Sequence, residues 1–378
     1  MDADVVVVGG GIVGASIAHA ITRRSDRQVT VFERQSSIAA ETTAKSNAMF
    51  RRTGDAAERR LKREGLACYN ELLATQQLDH DVDPIYERVD RLETATTPEG
   101  AAGLQDRAAE GPGTYLEPAE IIDHALVPEL AVDAVTGALW FPDALRLEPR
   151  VLAREFAHRA SSAGARFETN TAVQDIRVEN GAVAGVRTDA GSVDTDTVIA
   201  AAGPNNPAVA AMAGIEVPIR HTLGPILDVR PRAPLQHTLA NVKHPETGVY
   251  YTGRADGTVM IGRAGGPYER AERRSLEKLD EDRVPDTIRE TMDETARTVL
   301  PGLALDRIDI NDEWVGLVSK TPDGAPIIGF TEVEGFGIAA FNSEGIQLAP
   351  AAGRILAEQV IDERSPAEYP HVDPGRFA

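Results

Sequence analysis

A glycine-rich segment near the amino terminus has the residue types and spacing of a dinucleotide-binding site. Gly9, Gly11 and Gly14 fit the pattern G-x-G-x-x-G directly after an apolar run, and apolar residues at helical spacing follow. The first glycine permits a tight turn, the second lets a pyrophosphate approach the backbone, and the third lets the helix pack on the strand. Glu33 ends the next apolar run, where a carboxylate can bind a ribose hydroxyl. The segment predicts a strand, a helix and a second strand around a dinucleotide.

Three further segments predict the elements that must position such a cofactor. The first is a polar stretch, 42–51, after the second strand. The second runs from a predicted helix at 149–163 through strands at 172–179 and 182–188, joined by an Asn-Gly turn, to an apolar run that ends in Ala-Ala-Gly. The third contains Pro-Asp-Gly-Ala-Pro, an apolar strand and a predicted helix at 346–361. Together they predict an α/β fold.

These four segments together resemble the FAD-dependent D-amino-acid oxidase superfamily, which includes glycine and sarcosine oxidases and D-amino-acid dehydrogenases. The resemblance covers most of the chain and implies an FAD-binding, Rossmann-like α/β domain interleaved with a mixed or antiparallel-sheet α+β substrate domain. It places the FAD-binding domain in 1–80, 146–215 and 315–378, and the substrate domain in 81–145 and 216–314.

The resemblance implies that residues of all four segments hold FAD, while no residue is assigned to a metal. Val173 is expected to contact the adenine end through its backbone, and the start of the last helix is expected to point at the flavin pyrimidine. Gly316 stands where some relatives carry a flavin-linked cysteine, so the FAD is expected to be noncovalent. The expected cofactor residues are Gly9, Gly11, Ile12, Val13, Gly14, Glu33, Arg34, Thr43, Ser46, Asn47, Ala48, Val173, Ala202, Gly203, Gly329, Asn342, Glu344, Gly345, Ile346 and Gln347.

The candidate catalytic residues are fewer. Tyr250 and Tyr251 are placed like the family's substrate-facing tyrosines, but neighbours in a strand point to opposite faces, so only one can face the flavin. Many amine-oxidising relatives grip a substrate carboxylate with an arginine where this chain has Val318. The candidates to replace that grip are Arg51, Arg263 and Lys320. Met260 replaces the oxygen-activating lysine of sarcosine-oxidase-like members, which favours a dehydrogenase but leaves an oxidase open.

The resulting expectation is an FAD-dependent enzyme that oxidises the C–N bond of an amino acid or secondary amine, such as glycine, sarcosine or proline, by hydride transfer to flavin. Its electron acceptor would be oxygen, a quinone or an electron carrier. Two alternatives stay open: oxidation of a 2-hydroxy acid or polyol, and a flavoprotein subunit of a larger dehydrogenase. The oligomeric state is not predicted.

The composition limits the ligands the protein can bind and the environment in which it works. The chain has 378 residues with 39 basic and 59 acidic side chains, a formal net charge of −20, which argues against binding nucleic acid. Only five of the basic residues are lysines, which suits either an acidic surface adapted to concentrated salt or an arginine-rich codon bias. One cysteine excludes an intrachain disulfide. Glycines interrupt the apolar segment at 5–22 and no basic stretch precedes it, so we expect no membrane span and a cytoplasmic protein.

Overall fold

The computed structural model describes residues 3–74, 86–124, 126–235, 237–274, 283–362 and 369–377. The strands of these residues are β1 (Val5–Val8), β2 (Val29–Phe32), β3 (Met49–Phe50), β4 (Tyr86–Ala95), β5 (Thr114–Leu116), β6 (Gly137–Leu147), β7 (Arg166–Glu168), β8 (Val173–Glu179), β9 (Ala182–Thr188), β10 (Gly191–Val193), β11 (Val198–Ala200), β12 (Arg220–Pro231), β13 (Asn241–His244), β14 (Val249–Gly253), β15 (Val259–Arg263), β16 (Ile308–Lys320), β17 (Ile327–Phe330) and β18 (Phe336–Ala340). The α-helices are α1 (Ile12–Thr22), α2 (Ala56–Ala74), α3 (Pro98–Glu110), α4 (Pro118–His124), α5 (Pro149–Ser162), α6 (Asn206–Met212), α7 (Asp286–Val299) and α8 (Gly345–Asp362).

The first sheet has the order β17-β18-β11-β1-β2-β7, and every neighbouring pair except β17–β18 is parallel. Val5 and Val7 of β1 pack with α1 and α8, whereas Val6 and Val8 pack towards the three-stranded sheet β10-β9-β8. Because both faces are covered, β1 is an unbroken run of valines. The predicted α/β class with a Rossmann-like cofactor fold is confirmed.

Parallel pairing also explains where chemistry can occur. The carboxyl ends of parallel neighbours meet at one edge of a sheet, which is where ligands bind in open α/β folds. Here the ends of β1, β2, β11 and β18 share that edge, and α1 and α8 begin directly beyond two of them.

The second sheet is mixed, with the order β16-β12-β15-β14-β13-β4-β6-β3, and β5 pairs with β6. Its β13–β4 pair is parallel and its other pairs are antiparallel. One face packs on α7, in a core that includes Leu92, Val242 and Ile261 with Met292 and Ala296 of the helix. The opposite face is directed towards the edge described above.

This second sheet curls, so that its two ends approach each other. Trp314 of β16, at one end, donates a hydrogen bond from Nε1 to the carbonyl oxygen of Lys45 (3.2 Å), four residues before β3 at the other end. The predicted boundaries at 145 and 314 cut through β6 and β16, so we propose to move them to the ends of those strands, after Leu147 and Lys320. Among the residues described, no helix is long and apolar enough to cross a membrane.

Candidate active site

The turn from β1 into α1 is built so tightly that it requires glycine. Gly9 has a φ of +111°, and a Cβ there would lie 2.6 Å from the carbonyl oxygen of Ala201, which follows β11. A Cβ on Gly14 would overlap the carbonyl oxygen of Gly9. By contrast, a Cβ on Gly11 would meet only Thr43 Oγ1, at 3.2 Å. The first and third glycines therefore serve packing, and the second leaves the start of α1 open to a ligand.

Glu33 is held rigidly at the end of β2. The residue is 8% exposed, and its two carboxylate oxygens each accept a backbone hydrogen bond of 2.8 Å, from Gly10 N and Gln35 N. A carboxylate has about four acceptor sites, so hydroxyl groups of a ribose can still bind. Arg34 is turned to Glu41, with 2.9 Å between Nη2 and Oε1. Thr171, two residues before Val173, donates its N–H to the Glu33 carbonyl (2.9 Å), which places the start of β8 beside this carboxylate.

The polar stretch 42–51 wraps around the start of α1. Thr43 Oγ1 accepts a hydrogen bond from Ile12 N (3.2 Å), and Ser46 Oγ accepts one from Ala48 N (3.0 Å). Ala48 has a φ of +50°, a left-handed conformation that is uncommon for a residue with a side chain. Asn47 Oδ1 is buried and has no hydrogen-bond partner among the described residues. Such an orphaned acceptor in a strained segment indicates that a polar ligand completes the site.

The start of α8 faces the start of α1. A Cβ built on Gly345 would lie 3.9 Å from Cγ2 of Val13, so the two helix starts converge. Each carries unsatisfied N–H groups and the positive end of a helix dipole. Tyr69 of α2 donates its hydroxyl to the carbonyl oxygen of Ile346 (2.5 Å), and Arg51 N donates to Gln347 Oε1 (2.7 Å). These two bonds fix the first turn of α8 against α2 and the polar stretch.

Buried charges support the loop that precedes α8. Glu344 pairs with Arg51 (2.7 Å) and with Lys62 (2.8 Å), and Lys62 also pairs with Glu58 (2.5 Å). The Lys62 side chain is only 2% exposed, and its third acceptor is the Thr53 carbonyl oxygen at 2.8 Å. Burial, and then the neighbouring Glu344, raise the pKa of Glu58 to about 7. Although burial opposes its ionisation, hydrogen bonding from Glu58 and the charges of Arg51 and Lys62 hold the pKa of Glu344 below its usual value.

A cavity of about 270 Å³ lies beside these charges. Ser343 in its wall has a φ of +65°. The cavity is lined by Arg51, Thr53, Gly54, Glu58, Gly324, Pro326, Asn342, Ser343, Glu344 and Leu348. It therefore lies between the polar stretch, the start of α2 and the loops that flank β17 and β18.

The second sheet separates the two predicted tyrosines. Tyr251 is fully buried in the core against α7, and its hydroxyl has no partner among the described residues. Tyr250 is on the opposite face, where its ring covers Gly262, and burial raises the pKa of Tyr250 to about 12. Arg263 is paired across the strands with Val249, so it shares the face of Tyr251 and donates from Nε to the Thr247 carbonyl oxygen (3.1 Å). The side chains of Tyr251 and Arg263 thus point to the α7 face of the sheet, away from the face that carries Tyr250.

Lys320 and Arg51, in contrast, approach each other. Lys320, Val318 and Gly316 lie on the same face of β16 as Trp314, because every second residue of a strand points to one face. Trp314 bonds to the carbonyl oxygen of Lys45, so this face is turned to the polar stretch. Burial, and then the charge of Arg51, lower the pKa of Lys320. A Cβ on Gly316 would meet only the Gly224 carbonyl oxygen, at 3.8 Å, so there is open space above this glycine on the face of β16 that Lys320 shares.

The remaining predicted residues divide into two groups. Gly203 has a φ of +56° and open space where a Cβ would lie, and the N–H of Ala202 donates to Asn206 Oδ1 (2.8 Å), both at the cofactor edge. Gly329 is set apart, because it lies within β17 and its missing Cβ makes room for Pro374 Cδ, at 2.9 Å. The glycine therefore serves packing against the carboxy-terminal segment, and its contact with the cofactor stays a prediction.

Sequence reasoning missed Lys62, Glu58 and Asn206. Asn206 is fully buried and links β11 to β18 through a 2.8 Å bond from Nδ2 to the Ala339 carbonyl oxygen. One signal for Lys62 was present: it shares a helical stripe with the buried Gly65, Tyr69 and Leu72 on α2. A lysine within an otherwise buried stripe requires an acidic partner.

Comparison with known proteins agrees with this geometry. The family profile described as "FAD dependent oxidoreductase" (DAO) matches residues 4–359. Glycine oxidase of Geobacillus kaustophilus is 26% identical, over 94% of this chain and 92% of that protein. 4-Methylaminobutanoate oxidase (formaldehyde-forming) of Paenarthrobacter nicotinovorans is 29% identical over 99% of this chain. The chain spans about half the length of several curated relatives, 45% in this last case. The solved structure of L-proline dehydrogenase from P. horikoshii superposes with a TM-score of 0.83 at 24% identity, covering 100% of this chain and 98% of that one.

The chain belongs to the family of FAD-dependent oxidoreductases named DAO. FAD is the cofactor of this family, and the residues described above fit it. Glu33 offers free acceptor sites to a ribose, the start of α1 is open at Gly11, and Asn47 Oδ1 lacks a partner within the described residues. The convergent starts of α1 and α8 suit a ligand with a negative diphosphate and a ring that gains negative charge when reduced.

Proposed function

We propose that this protein oxidises the C–N bond of an amino acid or secondary amine that carries a carboxylate. The observation that supports this most is that Arg51 and Lys320, two cations, act on each other, with Arg51 bonded to the first turn of α8 and Lys320 on the face of the curled sheet that also carries Tyr250. FAD, when bound, supplies the acceptor for the two electrons of the oxidation. The printed names of the relatives, glycine oxidase and 4-methylaminobutanoate oxidase, point to the same substrate class.

Arg51 and Lys320 would replace the arginine that is absent at Val318. A guanidinium and an ammonium group together can hold one carboxylate with charge-assisted hydrogen bonds. Glu344 keeps Arg51 in place through their 2.7 Å contact, so the guanidinium is oriented before a substrate arrives. Tyr250 would close the other side of the substrate site.

The same two cations also affect the substrate amine. Only an amine that has lost its proton can donate hydride from its α-carbon, and nearby positive charge lowers the pKa of an ammonium group. Arg51 and Lys320 would therefore favour the neutral amine without a dedicated side-chain base.

We further propose that the electron acceptor is a carrier in preference to oxygen, and that the FAD is noncovalent. Met260 is 3% exposed on the face of the sheet that Gly262 and Tyr250 share, so it provides no positive charge to stabilise superoxide. Gly316 provides no thiol for a covalent link.

The test is anaerobic reduction of the purified flavoprotein. Glycine, sarcosine and proline, with other amino acids and secondary amines, should bleach the visible flavin absorbance. Arg51→Gln and Lys320→Gln should each raise the substrate concentration needed by about tenfold or more, because a hydrogen bond to a charged group is lost. Arg154→Gln, which removes an exposed positive charge from α5, serves as the matched control.

Two results would contradict the proposal. Bleaching by 2-hydroxy acids but by no amine would select oxidation of a C–O bond. No bleaching by any substrate, with reduction only by a partner enzyme, would select an electron-transfer subunit.

A further inference from the structure

A second group of charged side chains lies on the same face of the curled sheet. The register of β4 and β13 pairs Arg91 with Asn241 and Glu93 with Lys243, and the register of β13 and β14 pairs Lys243 with Tyr250. Residues that are directly opposite each other in neighbouring strands point to the same face. Arg91, Glu93 and Lys243 therefore share the face of Tyr250, where the proposed substrate site lies.

The charges in this group do not balance. Glu93 is 3% exposed, and both of its oxygens are occupied, Oε1 by Arg91 Nη2 (2.6 Å) and Oε2 by Arg107 Nη1 (2.6 Å). Arg91 also donates from Nη1 to Asn241 Oδ1 (2.5 Å). Burial alone would raise the pKa of Glu93, but Arg91 and Arg107 hold it at about 2. One carboxylate, with both oxygens engaged by arginines, thus faces three cations.

Lys243 is the cation left over. It is half-buried, and within the described ranges its ammonium group makes no ion pair or hydrogen bond. Burial lowers its pKa to about 8, and although Glu93 opposes this, the charges of Arg91 and Arg51 add to it. An unpaired ammonium in such a place is unfavourable unless an anion joins it. Arg51, a residue of the proposed carboxylate grip, is thus one of the charges that act on Lys243.

We infer that Lys243, supported by Arg91, binds a second carboxylate of the substrate, so that the substrate is an amino acid or secondary amine with two carboxylates. The inference rests on the proposed function, because Arg51 and Lys320 are there assigned to the first carboxylate. It adds a binding position whose occupant is an anion, on the face of the sheet that Lys243 and Tyr250 share.

A binding experiment without turnover tests this inference. Glutarate and butyrate differ by one carboxylate and contain no amine, so both can be titrated into the flavoprotein while the shift of the visible flavin spectrum is followed. The wild-type protein should bind glutarate about tenfold or more tightly than butyrate, the effect of one hydrogen-bonded charge pair. Lys243→Met should bring the two affinities to within about twofold and leave butyrate binding unchanged. Lys243→Arg should keep the preference, and Arg154→Gln should behave as wild type.

Each outcome bears on one hypothesis. If the wild-type protein binds glutarate and butyrate with equal affinity, the inference is overturned. This result needs no variant, so it holds even if Lys243→Met does not fold. A preference for glutarate that persists in Lys243→Met overturns it as well. Failure of the proposed function looks different: glutarate binds through Lys243, but no amine, with one carboxylate or two, bleaches the flavin.

Discussion

Replacing Lys62 by methionine tests whether buried charge holds the start of α8 in place. Methionine keeps most of the side-chain volume and removes only the ammonium group. That group contacts Glu58, Glu344 and the Thr53 carbonyl oxygen, and the side chain is 2% exposed. Removing one partner of a buried ion pair costs about 3–5 kcal/mol, because the remaining charges stay buried without compensation. We therefore expect a loss of about 3 kcal/mol or more in the free energy of unfolding at pH 8.

The loss should depend on pH. At pH 5 Glu58 binds a proton, since its pKa is raised to about 7, so Glu344 is then the one ionised carboxylate of the pair, and it keeps its contact with Arg51. At pH 8 both carboxylates are ionised and repel each other. Urea unfolding followed by circular dichroism, in the presence of excess FAD, should give a smaller difference between variant and wild type at pH 5 than at pH 8.

Arg63→Met is the matched control, because Arg63 is the next residue of the same helix and is exposed. Its effect should stay within about 0.5 kcal/mol. The double variant Lys62→Met with Glu344→Gln should recover part of the lost stability, since it removes an uncompensated charge. A loss below about 1 kcal/mol for Lys62→Met, or an equal loss at both pH values, would refute the reasoning.

Four further predictions concern the backbone of Ser343, the titration of Glu58, the binding of FAD and the effect of salt on stability. Ser343→Gly should raise the free energy of unfolding by up to about 1 kcal/mol in urea titrations, because Ser343 has a φ of +65°, and a destabilised variant would contradict this. The raised pKa of Glu58 contributes stability that is fully present below about pH 4.5 and is lost as the pH rises through about 7. The free energy of unfolding of the wild type should therefore fall between pH 4.5 and 7, and the Glu58→Gln variant should not show this fall. Glu33→Ala should weaken FAD binding about tenfold or more in equilibrium dialysis, because the ribose loses its acceptor. The net charge of −20 predicts that the wild-type unfolding midpoint rises between low and molar salt, and a flat response would argue for codon bias alone.

The helix and the hairpin in residues 149–188 could be predicted because their signals are local. The expected helix at 149–163 is α5, Pro149–Ser162, and the expected strands at 172–179 and 182–188 are β8 and β9. The Asn-Gly turn between them has positive φ at both residues, 54° and 84°, as a tight hairpin turn requires. In each case the residues that set the structure are close together in the chain.

The arrangement of the second sheet could not be predicted, since it depends on distant pairings. Alternation shows that one of Tyr250 and Tyr251 faces the site, but the packing of α7 on the sheet decides which one. The same packing carries Arg263 to the far face. Glu58 and Lys62 are four residues apart, yet the carboxylate that completes their group is Glu344, almost the whole chain away.

The distribution of lysine connects these observations. Lysine is among the residues most often exposed in proteins, but none of the four described lysines of this chain is exposed. Lys62 is buried under α8, and the charge of Arg51 acts on both Lys243 and Lys320. Salt adaptation or codon bias can remove lysine from a surface, where arginine serves equally well. It does not remove a lysine that an interior acid or a bound anion requires. In so acidic a chain, Lys62, Lys243 and Lys320 therefore indicate where positive charge has a specific partner, and for Lys243 that partner is missing from the described residues.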